Sequence, residues 1–311
     1  MNCNLPKITY PSFRSLLLLK FHKAICLGGD VGVTKRSINS CIKYPYDEIS
    51  RILNAQDSLK QVKKSTSVAV YRSAIALKLA AFEQRNWVEI GHQLANFCRF
   101  STENRPKDDT EPLPDVLSDL TVTPIQGGLL ECEFGDWAIA QWLTGLVTIT
   151  NLNLSEKCVL DNFTDSLNYK SVQSGQDSIF LCQYAYARCH SLLQMAVELT
   201  PLTSVVQSKE FPWLTEMGWL IFTADFDRDL LFQIVTTLDQ GLAANAQECL
   251  KLAVSLSQAF QEFYRNSQFF GADRAKNLQL VQGRLGLVMI TQLLLRSLLQ
   301  ERLGIFVPTT L

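Results

Sequence analysis

The chain has 311 residues, 47% hydrophobic and 19% charged, which is enough apolar material for about two packed domains and excludes wholesale disorder. A formal net charge of −1 excludes a uniformly basic coat for nucleic acid. Nine cysteines with no Cys-x-x-Cys pair, and only three histidines, exclude a disulfide framework and a zinc site and fit buried thiols in a cytoplasmic protein.

In chain order, Pro11 to Cys26 reads as a first helix, broken by the glycines from Gly28 to Gly32. Its apolar run Leu16–Leu19 is followed at once by Lys20, His22 and Lys23, too short for the ~20 residues a bilayer span needs. With no small-residue cleavage site beside it, neither a membrane partner nor a leader is expected. Tyr46 to Val62 is a second, weaker helical stretch, and Thr66 to Leu79 a short strand or turn entering an Ala-rich helix. Trp87, Ile90, Leu94 and Phe97 recur at helical spacing. Ser101–Pro114 is polar and proline-rich, a loop by composition, and Leu129–Phe134 alternates apolar with acidic residues as a half-buried strand does. Beyond it, Ser178–Glu198, Trp213–Phe222, Asp227–Leu238, Ala244–Asn266 and Leu280–Leu303 carry apolar stripes of helical period, with a Gly304 stop and Pro308 after the last. The expected fold is mainly α: a small α+β domain over residues 1–160, then a helical bundle over 161–311.

Charge is unevenly spread. Residues 1–66 hold eleven Lys and Arg against four Asp and Glu, a net of +7, and residues 101–165 hold three against twelve, a net of −9. A basic arm containing Lys20, Lys23, Lys35, Arg36, Lys60, Lys63 and Lys64 can meet phosphates, or can be a solvated face balancing the acidic middle.

Few other constellations carry chemistry. Gly28 to Ser37 lacks the glycine and lysine placement of a phosphate-cradling loop. His22, His92 and His190 form no ligand-spaced pair, and Cys182 and Cys189, seven apart on one helix, read as small buried apolar residues. Asp225, Asp227 and Asp229 stand at a helix start, where they suit its dipole or cap it.

Three segments of the helical half are familiar: Gln183-Tyr-Ala-Tyr-Ala-Arg188-Cys189, Leu256-Ser-Gln-Ala-Phe260-Gln-Glu-Phe263-Tyr264, and Arg284-Leu285-Gly-Leu287 through Leu303-Gly304-Ile305 to Pro308. Together they resemble the C-terminal DALR-type anticodon-binding bundle of arginyl-tRNA synthetases, which has Q-Y-A-H-A-R, F-H-x-F-Y and R-L-x-L … L-G-I-x-x-P at these places. Tyr71-Arg-Ser-Ala-Ile-Ala-Leu-Lys-Leu-Ala80, and Gly128 to Phe134 followed by Trp137, are similar to helix and strand motifs of the same enzymes' N-terminal additional domain. The catalytic domain that lies between these regions in the synthetases has no room here, since about 35 residues separate Trp142 from Asp177 and a domain needs ~100. No H-x-G-H occurs, and Lys63-Lys64-Ser65-Thr66-Ser67 echoes K-M-S-K-S poorly and upstream of its expected place.

The resemblance implies a non-catalytic relative that binds tRNA or an anticodon-like stem-loop as an accessory or regulatory factor. It would need no cofactor, and a synthetase or a tRNA-modifying enzyme would be its protein partner. RNA-contact candidates are Tyr184, Arg188, Tyr264 and Arg265, with Lys60, Lys63 and Lys64 from the basic arm. Aromatic faces stack unpaired bases, and Arg serves phosphates or base edges; Tyr184 and Phe260 are equally readable as core aromatics, and Arg188 as part of a buried network. The chain departs from the motifs at Tyr186 and Gln261, where the family has His, and at Glu131, where it has Asn. A carboxylate facing a phosphate backbone repels it, so the alternative is a protein–protein adaptor that reuses the bundle without RNA.

Overall fold

The computed structural model describes residues 12–27, 59–64, 67–103, 116–148, 169–198, 202–241, 244–269 and 277–310. The glycine-rich stretch 28–37, most of the Ser101–Pro114 segment and the expected domain boundary at 160/161 lie outside them. Contacts divide the described chain into two units, Ser12–Trp142 and Leu143 onward.

In the first unit, Ser12 begins helix α1 (Phe13–Leu27) by accepting a hydrogen bond from the Ser15 backbone N–H at 3.1 Å, as an N-cap does. Strand β1 (Leu59–Val62) pairs antiparallel with β2 (Val70–Ser73), which leads through helices α2 (Ile75–Glu83) and α3 (Trp87–Glu103) to the hairpin of β3 (Leu120–Ile125) and β4 (Leu129–Phe134). The four-stranded sheet has the order β1-β2-β4-β3, with Tyr71 opposite Cys132 and Arg72 opposite Glu131. The alternation read in β4 is realised: Leu130, Cys132 and Phe134 are buried while Glu131 and Glu133 face outward. Phe134 and Trp142 both pack against Phe13, with ring centroids 4.4 and 4.6 Å from it. Gly128 at the hairpin turn has φ +78°, and a β-carbon there would run into Leu77, so the turn needs glycine on both counts.

Two expectations change in these units. The helix expected to end at Val62 is not formed there: Leu59–Val62 is the edge strand β1, held by cross-strand pairing that a four-residue stretch does not announce. The helix expected over Trp213–Phe222 is instead an extended turn in the second unit, with Leu214 bridged to Leu220. Its Gly218 N–H bonds the Thr215 carbonyl at 2.9 Å with φ +81°, which a continuous helix does not permit.

Helix α4 (Asp136–Thr148) carries the chain from one unit into the next, and the bundle is built from α5 (Tyr169–Val197), α6 (Leu202–Ser208), α7 (Asp225–Gly241), α8 (Ala246–Asn266) and α9 (Leu278–Arg296). A π-helical turn, Ser297–Arg302, follows α9. α8 opens with a reciprocal capping box: Asn245 Oδ1 accepts from Glu248 N–H at 3.0 Å, and Glu248 Oε2 from Asn245 N–H at 2.9 Å. Its stripe of Cys249, Leu252, Leu256, Phe260 and Phe263 is buried and packs against α5 and α7. Leu278–Arg302 is long and apolar enough to cross a bilayer by composition alone, but 61% of that window is buried inside the protein, against α5, α7 and α8.

The bundle core depends on close approaches at two glycines of α9, Gly283 and Gly286. A β-carbon at Gly286 of α9 would run into the Trp213 ring and lie 2.9 Å from Phe211 Cγ, and Trp213 is itself pinned by its Nε1–H bond to Thr144 Oγ1 at 3.0 Å. Alanine gains about 1 kcal/mol in helix propensity, while overpacking a fixed ring costs ~1–3 kcal/mol, so the clash wins. Gly286→Ala should therefore lower the thermal midpoint, whereas Gly145→Ala, in α4 with open space around it, should raise it. A Gly286→Ala midpoint above wild type would refute the packing argument.

Candidate nucleic-acid interface

Three of the sequence candidates meet on one face of the bundle. Residues four apart share a helix face, so Tyr184 and Arg188 of α5 lie together, and the Arg188 Nη2 donates to the Tyr184 hydroxyl at 2.9 Å. Packing of α8 on α5 brings in Tyr264. The Arg188 guanidinium carbon sits 5.5 Å from the Tyr184 ring centroid and 5.1 Å from that of Tyr264, inside the range of cation–π attraction. Tyr264 is braced from behind, nearly parallel to Phe260 at 6.3 Å and to Phe269 at 6.4 Å. Phe260 itself is 1% exposed, a core aromatic that supports the face without reaching a partner.

The charge on this face is open for use. Among the described residues no carboxylate pairs with Arg188, and its hydrogen bond to Tyr184 raises the guanidinium above its already high ordinary value. A guanidinium held by two rings and a hydroxyl is pre-oriented, with its fork of donors fixed in place. Tyr184 is 37% exposed, leaving ring surface for stacking. Arg265 is not part of this group: it is exposed and pairs with Glu262 at 3.6 Å.

Sequence reasoning missed several neighbours. Phe180, one turn before Tyr184, is 58% exposed, and Met195, seven residues beyond Arg188 on the same face, is 46% exposed. The four- and seven-residue spacing from Tyr184 and Arg188 was the signal that could have found them. Gln183 donates to the Phe306 carbonyl at 2.8 Å, tying the segment after the π turn onto α5 beside this face. Tyr186, one of the motif departures, is buried and two positions round the helix, away from Tyr184.

The lysines form a separate cluster in the first unit. Lys60 is exposed and stands directly opposite Arg72 across the β1–β2 ladder, and Lys63 is exposed just beyond it. Lys64 is engaged: its Nζ donates to Glu131 Oε1, and Arg72 Nε donates to Glu131 Oε2 at 3.3 Å. The Lys64 bond, with Arg72 assisting, holds the Glu131 carboxyl below the usual carboxylate range. The carboxylate that the sequence set against a phosphate backbone is shared by two cations, leaving the trio positive.

No three His, Cys, Asp or Glu side chains gather among the described residues as a metal site would require. Cys98, Cys132, Cys182, Cys189 and Cys249 are buried, and burial pushes the Cys98 and Cys182 thiols up to about 11, far from the thiolate form a nucleophile needs. Asp227 is neither a cap nor an exposed dipole partner. It is fully buried, and Arg284 grips it with Nε to Oδ1 and Nη2 to Oδ2 both at 2.9 Å. Burial pushes its carboxyl above the ordinary value and the Arg284 bonds work against that push.

No curated protein and no solved structure matches the chain. The fold is mostly helical with a small antiparallel sheet, and the bundle that joins Tyr184, Arg188 and Tyr264 matches the family model of the DALR anticodon binding domain over residues 182–311.

Proposed function

We propose that this chain binds tRNA, or a stem-loop shaped like an anticodon arm, without chemistry of its own, as an accessory or regulatory factor related to arginyl-tRNA synthetases. The observation that carries the reading is Arg188 held between the Tyr184 and Tyr264 rings, uncompensated by any carboxylate among the described residues, on a bundle that matches an anticodon-binding family model. An oriented guanidinium between the exposed Tyr184 and the half-buried Tyr264 suits a splayed loop, where unpaired bases stack and phosphates turn outward. Lys60, and the Lys64–Arg72–Glu131 trio with its net charge of about +1, add positive charge in the first unit for another part of the RNA. The non-catalytic half of the reading rests on the sequence, in which H-x-G-H does not occur; arginine-dependent ATP–pyrophosphate exchange by the purified chain would overturn it.

The test is binding of total tRNA, titrated from low salt to about 0.2 M, by the wild-type chain and by an Arg188→Ala/Tyr264→Ala variant. Binding that survives the salt and is lost in the variant supports an RNA-reading bundle. Binding that fades with salt and ignores the variant removes it.

A second reading, a protein–protein adaptor, is favoured by a different observation. The turn between Leu214 and Leu220 presents Met217 at 81% and Trp219 at 67% exposure, the residue types that anchor protein interfaces. Failure of the tRNA test would bring this reading forward.

A further inference from the structure

On another side of α5 lies a cleft of about 350 Å³ within the bundle unit. Its floor is apolar: Leu146 and Val147 of α4 and Ile290 of α9 line it and are at most 2% exposed. Around them stand Tyr186, Lys209 and Arg296, with no acidic residue among the lining side chains. Neither cation has an ion-pair partner among the described residues, and the Tyr186 hydroxyl has no hydrogen-bond partner among them. Gln292, which also lines the cleft, has its Nε2 3.3 Å from His190 Nδ1.

The backbone at Lys209 adds an independent observation. Lys209 follows α6 with φ +60° and closes that helix by donating its N–H to the Val205 carbonyl at 2.9 Å. Glycine is the residue that ends a helix in this left-handed conformation at least strain. Here the position carries a long cation instead, and that cation lines the cleft, which is where strain kept for a purpose is expected.

We propose that this cleft binds a small organic anion, a carboxylate or phosphate monoester carried on an apolar body. Lys209, Arg296 and the Tyr186 hydroxyl would hold the anionic group, while Leu146, Val147 and Ile290 would cover the body. A neutral or cationic ligand leaves both lining cations without a counter-charge, whereas an anion satisfies both. The volume is at the lower end of ordinary small-molecule sites and takes a ring pair with one charged substituent. This assignment is independent of RNA binding, because Tyr186 points away from the face that carries Tyr184 and Arg188.

Three probes of one shape test it: 2-naphthoate, 2-naphthyl phosphate and the neutral 2-naphthamide, titrated calorimetrically into the full chain. One or both anions should bind at least about tenfold tighter than the amide, and the tighter anion identifies carboxylate or phosphate as the source. Lys209→Met/Arg296→Gln, both on the surface side of the cleft, should lose that preference. Lys209→Gly separates ligand binding from helix ending: its thermal midpoint should equal or exceed wild type while anion affinity falls. Equal binding of the amide, no binding of any probe at millimolar concentration, or a Lys209→Gly variant that binds anions as wild type does would each overturn the proposal.

Discussion

Asp227→Ala should destabilise the bundle by about 3–5 kcal/mol, because it leaves the Arg284 guanidinium buried without its counter-charge. Both partners are out of water: Asp227 is 0% and Arg284 8% exposed. Their two-point contact, with N–O distances of 2.9 Å, joins α7 to α9 across 57 residues of sequence. Arg284 also lies 5.1 Å over the Phe226 ring, so the orphaned cation is left against an apolar neighbour. Against a domain stability of ~5–15 kcal/mol, such a loss moves the urea midpoint by a large fraction of its value. The informative comparison is the double replacement Asp227→Leu/Arg284→Met, which removes both charges and keeps the volume apolar. Because the desolvation cost of a buried pair is repaid only by good geometry, exchanging the whole pair is often neutral or better. The double variant should therefore be markedly more stable than Asp227→Ala. Equal losses in the two would mean that shape alone, and not an uncompensated charge, sets the cost.

That pair also shows what the sequence makes legible and what it hides. Periodicity within one element reads well: the alternation of Leu129–Phe134 and the apolar stripe of Ala246–Asn266 appear in the structure as the buried faces expected. Each needs only its own residues and a 2.0 or 3.6 period. Trp213, Met217 and Leu220 imitate that period, yet Gly218 and the bridge from Leu214 to Leu220 turn the segment back on itself. The misreading arises because an apolar spacing does not say whether the residues are buried, and Met217 is 81% exposed. β1 and the Asp227–Arg284 pair are harder still, since their partners are set by tertiary packing. Asp227 looks like its neighbours Asp225 and Asp229 until Arg284 is seen opposite it. The same division runs through the candidate interface. Tyr184 with Arg188 follows from a four-residue spacing, and the family motifs pointed to Tyr264, but the meeting of all three needs α5 packed on α8. That Glu131 is shared by Lys64 and Arg72 needs the β2–β4 register, which no local pattern contains.

Arg188 and Tyr264 should act on RNA as one unit and not as two separate groups. If a base stacks on Tyr264, its removal costs about 1–3 kcal/mol of binding by the usual alanine measure, or roughly five- to 150-fold in Kd. Tyr264 also positions Arg188 through the 5.1 Å cation–π arrangement, so Tyr264→Ala frees the guanidinium and forfeits part of its contribution as well. The double variant Arg188→Ala/Tyr264→Ala should then lose less than the sum of the single losses, with a coupling of ~0.5–2 kcal/mol. Tyr264→Phe keeps both the ring and its packing against Phe260 and Phe269, and should bind nearly as wild type does. Lys60→Gln should behave differently: removing one phosphate-binding charge from the first unit lowers affinity for every RNA alike and reduces the salt slope by about one, with no coupling to Arg188. Strict additivity between Arg188 and Tyr264 would show that the cation–π arrangement contributes nothing to recognition and that each residue meets the RNA, if at all, alone.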